Sequence, residues 1–281
     1  MGGGDICRYN VQMGHGERSW IPSEKTGDNA DHIDLPSMGA NLDNLWIAGE
    51  SSGGYMSTHM HVIYSETFKG AGVMQGGMYG SEYRGAADIP EVPENFVQEC
   101  TDLADANAAE GLIDSLSGLD GSPVVIISGE FDEVVPPDNQ ENVREFYENY
   151  SANVHFESMD IGHTLVYEMP GIVLNHLYMH MEGSGYDTEN PVIVSEMDDF
   201  SWVENGVLVR FNQWEFITDV EASETNMDEF GWLYYPKSCA AGGCNAGFVL
   251  HGCYGRATDM MSFEVGWNSI ANNNDIILVF P

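Results

Sequence analysis

Short apolar runs and mixed apolar–polar segments alternate between residues 44 and 150. The runs "NLWIAG" (44–49), "GAGVMQGG" (70–77) and "PVVIISG" (123–129) predict buried strands, and the last is typical of a strand in a parallel sheet. Segment 53–68 has Met56, Met60 and Ile63 at helical spacing and predicts a helix. This alternation of strands and helices predicts a mostly parallel sheet covered on both faces.

The second half of the chain continues the pattern with one change. Segments 206–216 and 230–236 are rich in aromatic and β-branched residues and predict extended, antiparallel strands. The other predicted elements are a helix at 138–150, a strand at 152–159, a helix at 171–181, a strand at 246–253, a helix at 259–272 and a strand at 275–281.

The sequence shows no sign of a division into several domains. No internal repeat and no linker divides the 281 residues, and a hydrophobic content of 43% suffices for a sizeable core. We therefore expect one α/β domain over 1–281, of which residues 1–44 form an irregular N-terminal segment.

The charge balance is strongly acidic, with 9 Lys and Arg against 45 Asp and Glu, a formal net charge of -36. Phosphate backbones and anionic membranes would be repelled, so neither nucleic acid nor a membrane is expected as a partner. The acidic residues are scattered, which favours a solvated surface of the kind that stays soluble in high salt. A calcium site is the weaker alternative, because no D-x-D-x-D-G loop is present.

The sequence bears on compartment in two ways. No apolar run approaches the ~20 residues that span a membrane, and the start "MGGGDICRYN" lacks the features of a signal peptide. A secreted protein whose leader has been removed would look the same. The five cysteines form no C-x-x-C pair, but "CAAGGC" (239–244) has the spacing to close a small disulfide loop in an oxidising compartment.

The stretch "GESSG" (49–53) fits the pattern Gly-x-Ser-x-Gly with Ser51 at its centre. A serine hydroxyl becomes a nucleophile when a base, an acid that orients the base, and oxyanion donors surround it. The bare pattern arises often by chance. Here a predicted strand precedes it and a predicted helix follows, as a nucleophile elbow requires, so we favour Ser51 as the nucleophile over an ordinary glycine–serine loop.

The acid is expected in a loop after a later strand. "GEFDEVVPP" (129–137) follows the strand at 123–129 and resembles the acid loop of many α/β-hydrolases, with Asp132 as the predicted acid. Glu130 and Glu133 are its rivals, and an exposed carboxylate with no catalytic role is the plain alternative.

The base is expected after the acid in chain order. His163, in the glycine-led loop "GHTL" that follows the strand at 152–159, meets this condition. His176 and His180, four residues apart on a predicted helix, lack a third ligand, so packing or surface positions are favoured and no metal or other cofactor is predicted. His59 and His61 lie on the predicted helix after the elbow and His155 lies within a predicted strand, so none of the three occupies a loop of this kind.

An "HG" stretch that ends a strand normally precedes the nucleophile in α/β-hydrolases and helps to form the oxyanion hole. Here it occurs as "VLHGC" (249–253), after His163. The sequence therefore predicts a circularly permuted α/β-hydrolase, with the N–H groups of Ser52 and Cys253 as oxyanion donors. A tight turn beside a buried thiol is the alternative for "HGC".

These motifs belong to a wider resemblance over residues 45–281. The chain resembles the circularly permuted extracellular poly(3-hydroxybutyrate) depolymerases, and this implies Ser51 as nucleophile, Asp132 as acid, His163 as base, and Ser52 and Cys253 as oxyanion donors. The segments that carry the resemblance are "GESSGGYMSTHMHVIYSETFKGAGVMQGGMYG", "GEFDEVVPP", "GHTL", "PGIVLNHLY", "GVLVRFNQWEF", "GWLYYPKSC", "FVLHGCYGRATDM" and "GWNSIANNNDIILVFP".

Three features depart from the family pattern. The family usually has a cysteine where this chain has "GGMYGSEY", so disulfide pairing does not transfer. The acidity suggests a saline habitat. The family also continues past the "VFP" strand with a tryptophan-rich loop and a closing helix, which we expect to be missing after Pro281 or replaced by the first 40 residues.

The predicted function is hydrolysis of a polyester through an acyl-enzyme by a secreted serine esterase. Trp267, Tyr254, Tyr79 and Met78 are candidate contacts to an apolar polyester, although core packing explains each equally well. Two alternatives stay open. One is an esterase for soluble feruloyl or acetyl esters of polysaccharides, and the other is a non-catalytic hydrolase scaffold that only binds a polymer.

Overall fold

The computed structural model describes residues 34–81, 95–196, 200–218, 221, 225, 227–253, 255–260 and 265–281. The strands are β1 Asn41–Glu50, β2 Ala71–Met74, β3 Pro123–Gly129, β4 Asn153–Met159, β5 Gly206–Asn212, β6 Phe230–Pro236, β7 Asn245–Leu250 and β8 Ile276–Phe280. The helices are α1 Ser52–Ile63, α2 Phe96–Ala109, α3 Pro137–Asn149, α4 Met169–His180, α5 Ser201–Asn205, α6 Ala257–Met260 and α7 Trp267–Asn273.

The eight strands form one sheet in the order β4-β3-β2-β1-β7-β8-β6-β5. Neighbouring strands from β4 to β8 pair in parallel, while β6 pairs antiparallel with both β8 and β5. The predicted mostly parallel α/β sheet is confirmed. Strand β1, which carries the Gly-x-Ser-x-Gly stretch at its end, lies near the middle of the sheet.

Strand β3 shows how the sheet is covered on both faces. All seven of its residues are buried. Val125 and Ile127 pack into the cluster that contains helices α4 and α7, while Val124 and Ile126 pack into the opposite cluster with α2 and α3. A strand buried on both faces is apolar throughout, which is why "PVVIISG" was recognisable from sequence.

Two helices differ from the sequence-based expectation. Helix α2 was not predicted, because its many acidic residues obscure an apolar face at Val97, Cys100 and Ala104, all of which are buried. The predicted helix at 259–272 is also not continuous. Gly266 has a φ of 83°, and this left-handed residue directly precedes α7 and breaks the helical path.

Cys239 and Cys244 form the short disulfide loop that their spacing suggested. Over the residues that the structure describes, no helix combines the length and the apolar character needed to cross a membrane.

Candidate active site

Ser51 lies at the sharp turn between the end of β1 and the start of α1. Its backbone has φ 55° and ψ -119°, a conformation that L-residues rarely adopt, and its N–H donates to the carbonyl of Met74 at 2.9 Å. The residue as a whole is buried, with 8% of its surface exposed. This strained turn is the backbone geometry of a nucleophile elbow.

The two glycines of the pattern permit the close approach of chain segments at this turn. A Cβ on Gly49 would lie 2.4 Å from the carbonyl carbon of Gly53. A Cβ on Gly53 would lie 2.5 Å from the carbonyl oxygen of Leu250 at the end of β7. Both distances are too short for real Cβ contacts, so side chains at these positions would push the elbow apart.

Asp132 follows β3 and is almost fully buried, with 3% of its surface exposed. Its Oδ1 accepts the backbone N–H groups of Val134 and Val135, both at 2.8 Å, and its Oδ2 lies 2.7 Å from Nδ1 of His163. The rivals Glu130 and Glu133 are exposed to solvent. The loop therefore brings Asp132, and not its acidic neighbours, against the imidazole.

His163 joins the other two side chains. Its Nε2 lies 2.9 Å from Oγ of Ser51, while its Nδ1 faces Asp132. With the proton on Nδ1 donated to Asp132, Nε2 accepts the hydroxyl proton of Ser51. Burial, the largest single effect, lowers the pKa of His163, but the hydrogen bond and charge of Asp132 and the charge of Glu50 outweigh it and raise that pKa above 6.5.

Gln75, which the sequence analysis did not single out, holds the histidine loop. Its Nε2 donates to the carbonyl of Gly162 at 2.6 Å, and its Oε1 accepts the N–H of Thr164 at 3.0 Å. The side-chain amide thus spans the backbone on both sides of His163. Gln75 is fully buried and has a φ of 50°. A polar residue at the end of the buried strand "GVM" was the one signal in the sequence.

Glu50 is the second residue that sequence reasoning missed. Its Oε1 lies 3.5 Å from Nε2 of His163, and only 13% of its side chain is exposed. Burial raises the pKa of Glu50 to about 6, with His163 lowering it and Asp132 raising it to smaller extents. A charged residue at the variable position of Gly-x-Ser-x-Gly, directly after a buried strand, was the available signal.

The "HGC" stretch reaches the same place from β7. A Cβ on Gly252 would lie 3.1 Å from Cβ of Ser51, so the stretch passes directly beside the elbow. The N–H of Ser52 belongs to the first turn of α1, where backbone N–H groups lack partners within the helix. The structure therefore brings the segments that contain both predicted oxyanion donors to Ser51. The side chain of Cys253 is disulfide-bonded.

The predicted substrate contacts require correction. Trp267 is completely buried and stacks on Trp46 with ring centroids 5.7 Å apart, because α7 packs its first residue into the core. Tyr79 and Met78 are 6% and 1% exposed and pack with α2, so the structure favours the alternative of core packing for both side chains. Tyr254 lies outside the described residues.

Four other histidines of the described residues contact polar or aromatic side chains or one another. His61 is fully buried between the hydroxyls of Tyr147 and Ser122, at 3.1 and 3.0 Å. His176 lies against His155 and His180. Within the described ranges, no group of three or more His, Cys, Asp or Glu side chains is arranged to hold a metal ion.

The fold is that of the α/β-hydrolases, and within it a serine, a histidine and an aspartate are in hydrogen-bond contact. No protein-family model matches the chain. Two curated proteins are similar over most of it. A poly(3-hydroxybutyrate) depolymerase from Delftia acidovorans is 29% identical and matches 89% of this chain and 54% of its own length. A polyhydroxybutyrate depolymerase from Talaromyces funiculosus is 26% identical and matches 88% of this chain and 76% of its own length.

Solved structures agree with this assignment of the fold. The PHB depolymerase from Penicillium funiculosum superposes with a TM-score of 0.70 at 22% identity, covering 89% of this chain and 82% of that chain. A PHB depolymerase complexed with an R3HB trimer superposes with a TM-score of 0.67 at 23% identity and the same coverage. The resemblance to the PHB depolymerase family, predicted from sequence motifs, is confirmed by these relatives. The chain spans about half the length of the Delftia relative.

Proposed function

We propose that the chain is a serine esterase that cleaves poly(3-hydroxybutyrate)-type polyester, or its oligomers, through an acyl-enzyme. The observation that carries this proposal is the hydrogen-bonded series Asp132–His163–Ser51, with contacts of 2.7 and 2.9 Å, beside the "HGC" stretch. These distances lie within the reach that proton transfer between side chains requires.

The mechanism follows from the protonation states of the three groups. Nε2 of His163 takes the proton of Ser51 as Oγ attacks the ester carbonyl, and then gives it to the departing alcohol oxygen. Asp132 keeps the other ring proton on Nδ1 and stabilises the imidazolium. The N–H groups of Ser52 and Cys253 are the proposed donors to the oxyanion. Water then repeats the sequence on the acyl-enzyme and releases the acid.

The polyester substrate is proposed from the relatives. The two curated relatives carry the name of PHB depolymerase, and one superposable structure holds an R3HB trimer. On the chain itself, Phe131 directly precedes the acid Asp132 and is 65% exposed, which offers an apolar surface at the site. A secreted location is proposed from the same resemblance. The absence of nucleic acid and membrane partners is proposed from the net charge of -36.

The circular permutation is likewise proposed, and the strand order supports it. The nucleophile strand β1 opens the described chain, yet it lies between β2, which follows it directly, and β7, which comes near the end. The second half of the sheet, β5 to β8, is thus made of strands that would precede the nucleophile in an unpermuted hydrolase.

An esterase for soluble esters is the second candidate. It is favoured by the burial of Trp267 and Tyr79, since two of the aromatic side chains expected to contact a polymer belong to the core. Rates on poly(3-hydroxybutyrate) film, on the R3HB trimer and on a feruloyl ester separate the candidates. Release of 3-hydroxybutyrate units from film supports the proposal. Turnover of the feruloyl ester alone would replace it with the second candidate.

A further inference from the structure

The carboxylate of Glu50 and the hydroxyl of Ser51 both lie close to Nε2 of His163. Nε2 of His163 lies 2.9 Å from Oγ of Ser51 and 3.5 Å from Oε1 of Glu50. The ring proton that Nε2 acquires during hydrolysis therefore arises within ion-pair distance of a second carboxylate. Asp132 contacts the other nitrogen, so the imidazole lies between two carboxylates.

The "HGC" stretch leaves room for the Glu50 side chain. A Cβ on Gly252 would lie 2.1 Å from Oε2 of Glu50, a distance at which one of the two would have to move. Glycine at this position thus lets the carboxylate lie between the imidazole and the end of β7. The close fit also limits the directions in which Glu50 can turn away from His163.

The charges around Glu50 come from separate loops. His163, from the loop after β4, attracts the carboxylate, and Asp132, from the loop after β3, repels it. Tyr55 faces Asp132 from α1, and burial together with that charge raises the pKa of Tyr55 to about 12, so its hydroxyl stays neutral at pH 8. His251, beside Gly252, has its Nδ1 2.8 Å from the carbonyl of Gly252. His163 is therefore the attractive partner of Glu50 among the described residues.

We propose that Glu50 is a positioning residue that holds the imidazolium of His163 at each proton transfer, an inference that rests on the proposed esterase function. The proton passes from Ser51 to Nε2 and on to the departing oxygen, and Glu50 itself takes none. Its negative charge lowers the energy of the positive ring at 3.5 Å and keeps Nε2 directed towards the elbow.

The kinetic test compares Glu50→Gln with the unmodified protein on p-nitrophenyl butyrate from pH 5 to 9. Glutamine keeps the shape and removes the charge. We expect kcat on the alkaline plateau to fall roughly tenfold with little change in KM, because the interaction lost belongs to the transition state. Removing a charge that raises the pKa of His163 also moves the acid limb of kcat/KM to lower pH.

Glu133→Gln is the matched control, since it removes an exposed carboxylate in the acid loop. We expect no change in kcat and no movement of the limb. If Glu50→Gln lowers kcat but leaves the acid limb of the kcat/KM profile at the same pH, Glu50 has only a structural role and the proposal is overturned. A rate and limb equal to those of the unmodified protein would overturn it as well.

A second measurement separates this proposal from the proposed function. NMR titration of the His163 ring in a Ser51→Ala background needs no turnover. Adding Glu50→Gln should lower the pKa of His163, and an unchanged pKa would overturn the proposal even in an active esterase. If no ester is hydrolysed, the function fails and the titration still decides the role of Glu50. If Glu50→Gln does not fold, Glu50→Asp is used instead. The shorter side chain places the carboxylate further from the imidazole, so the pKa of His163 should again be lower.

Discussion

Two carboxylates approach the same imidazole from different surroundings, Asp132 from the loop after β3 and Glu50 from the last position of β1. Asp132 has both oxygens satisfied, one by two backbone N–H groups and the other by Nδ1 of His163. Glu50 lies at the elbow with 13% of its side chain exposed, and among the described residues its one ionic contact is the 3.5 Å approach to Nε2. The acid loop therefore supplies backbone hydrogen-bond donors to its carboxylate, whereas the carboxylate at the elbow has only the imidazole as its partner among the described residues.

This difference explains the properties of the two groups. Two backbone N–H groups, those of Val134 and Val135, donate to the carboxylate of Asp132. Glu50 lacks such donors within the described residues, and burial raises its pKa to about 6. Glu50 is therefore a partner of His163 whose charge depends on pH near 6.

The largest effect is expected at the stronger carboxylate. Asp132→Asn keeps the shape of the side chain but removes the charge and favours the wrong tautomer of His163. We expect kcat to fall on the order of 10⁴-fold, measured with p-nitrophenyl butyrate. A loss no greater than that of Glu50→Gln would show that the two carboxylates are equivalent and would break the comparison.

The imidazole can also be displaced without changing either carboxylate. Gln75→Leu removes the amide that binds both sides of the histidine loop, and a misplacement of about 1 Å costs roughly 10²-fold in kcat. Gln213→Leu is the control, because it removes a buried amide, bonded to the carbonyl of Asp228, next to the edge strand β5. Equal rates for the two variants would contradict the role of Gln75.

Glu50→Gln is expected to stabilise the folded protein at pH 8 although it slows catalysis. Its pKa rises from 4.5 to about 6 on folding, so the folded state binds the extra proton and stability falls as pH rises through that window. At pH 8 the cost is about 2 kcal/mol. Glu50→Gln should therefore raise Tm by a few degrees at pH 8 and leave it unchanged at pH 4.

Calorimetry at the two pH values checks this prediction. A lower Tm at pH 8 would mean that the carboxylate stabilises the fold, contrary to the comparison. Glu133→Gln, measured alongside, should leave Tm unchanged at both pH values because that side chain is exposed.

The smallest effect is expected at the surface of the acid loop. Phe131→Ala removes an aromatic side chain that is 65% exposed, and it should slow film hydrolysis about threefold to tenfold while leaving soluble esters unaffected. Phe216→Ala, with a phenyl group 60% exposed next to β5, is the matched control. Equal film rates for both variants would remove Phe131 from polymer contact.

The sequence predicted those parts of the site that lie at the ends of strands. Ser51 and Asp132 follow buried apolar runs and His163 follows the half-buried strand β4, and strand order is enough to place such residues at one edge of a parallel sheet. Glu50 and Gln75 were missed because their roles depend on contacts with a loop about 90 to 110 residues away. Trp267 was misplaced because an aromatic residue in a short helix gives the same pattern whether it faces the core or the solvent.

The central claim is that Ser51 is a nucleophile activated by His163. A fluorophosphonate probe followed by peptide mass mapping tests it most directly. We predict one adduct, on Ser51, which is lost together with p-nitrophenyl butyrate turnover in Ser51→Ala. An unlabelled Ser51, or a Ser51→Ala protein with full turnover, would contradict the account.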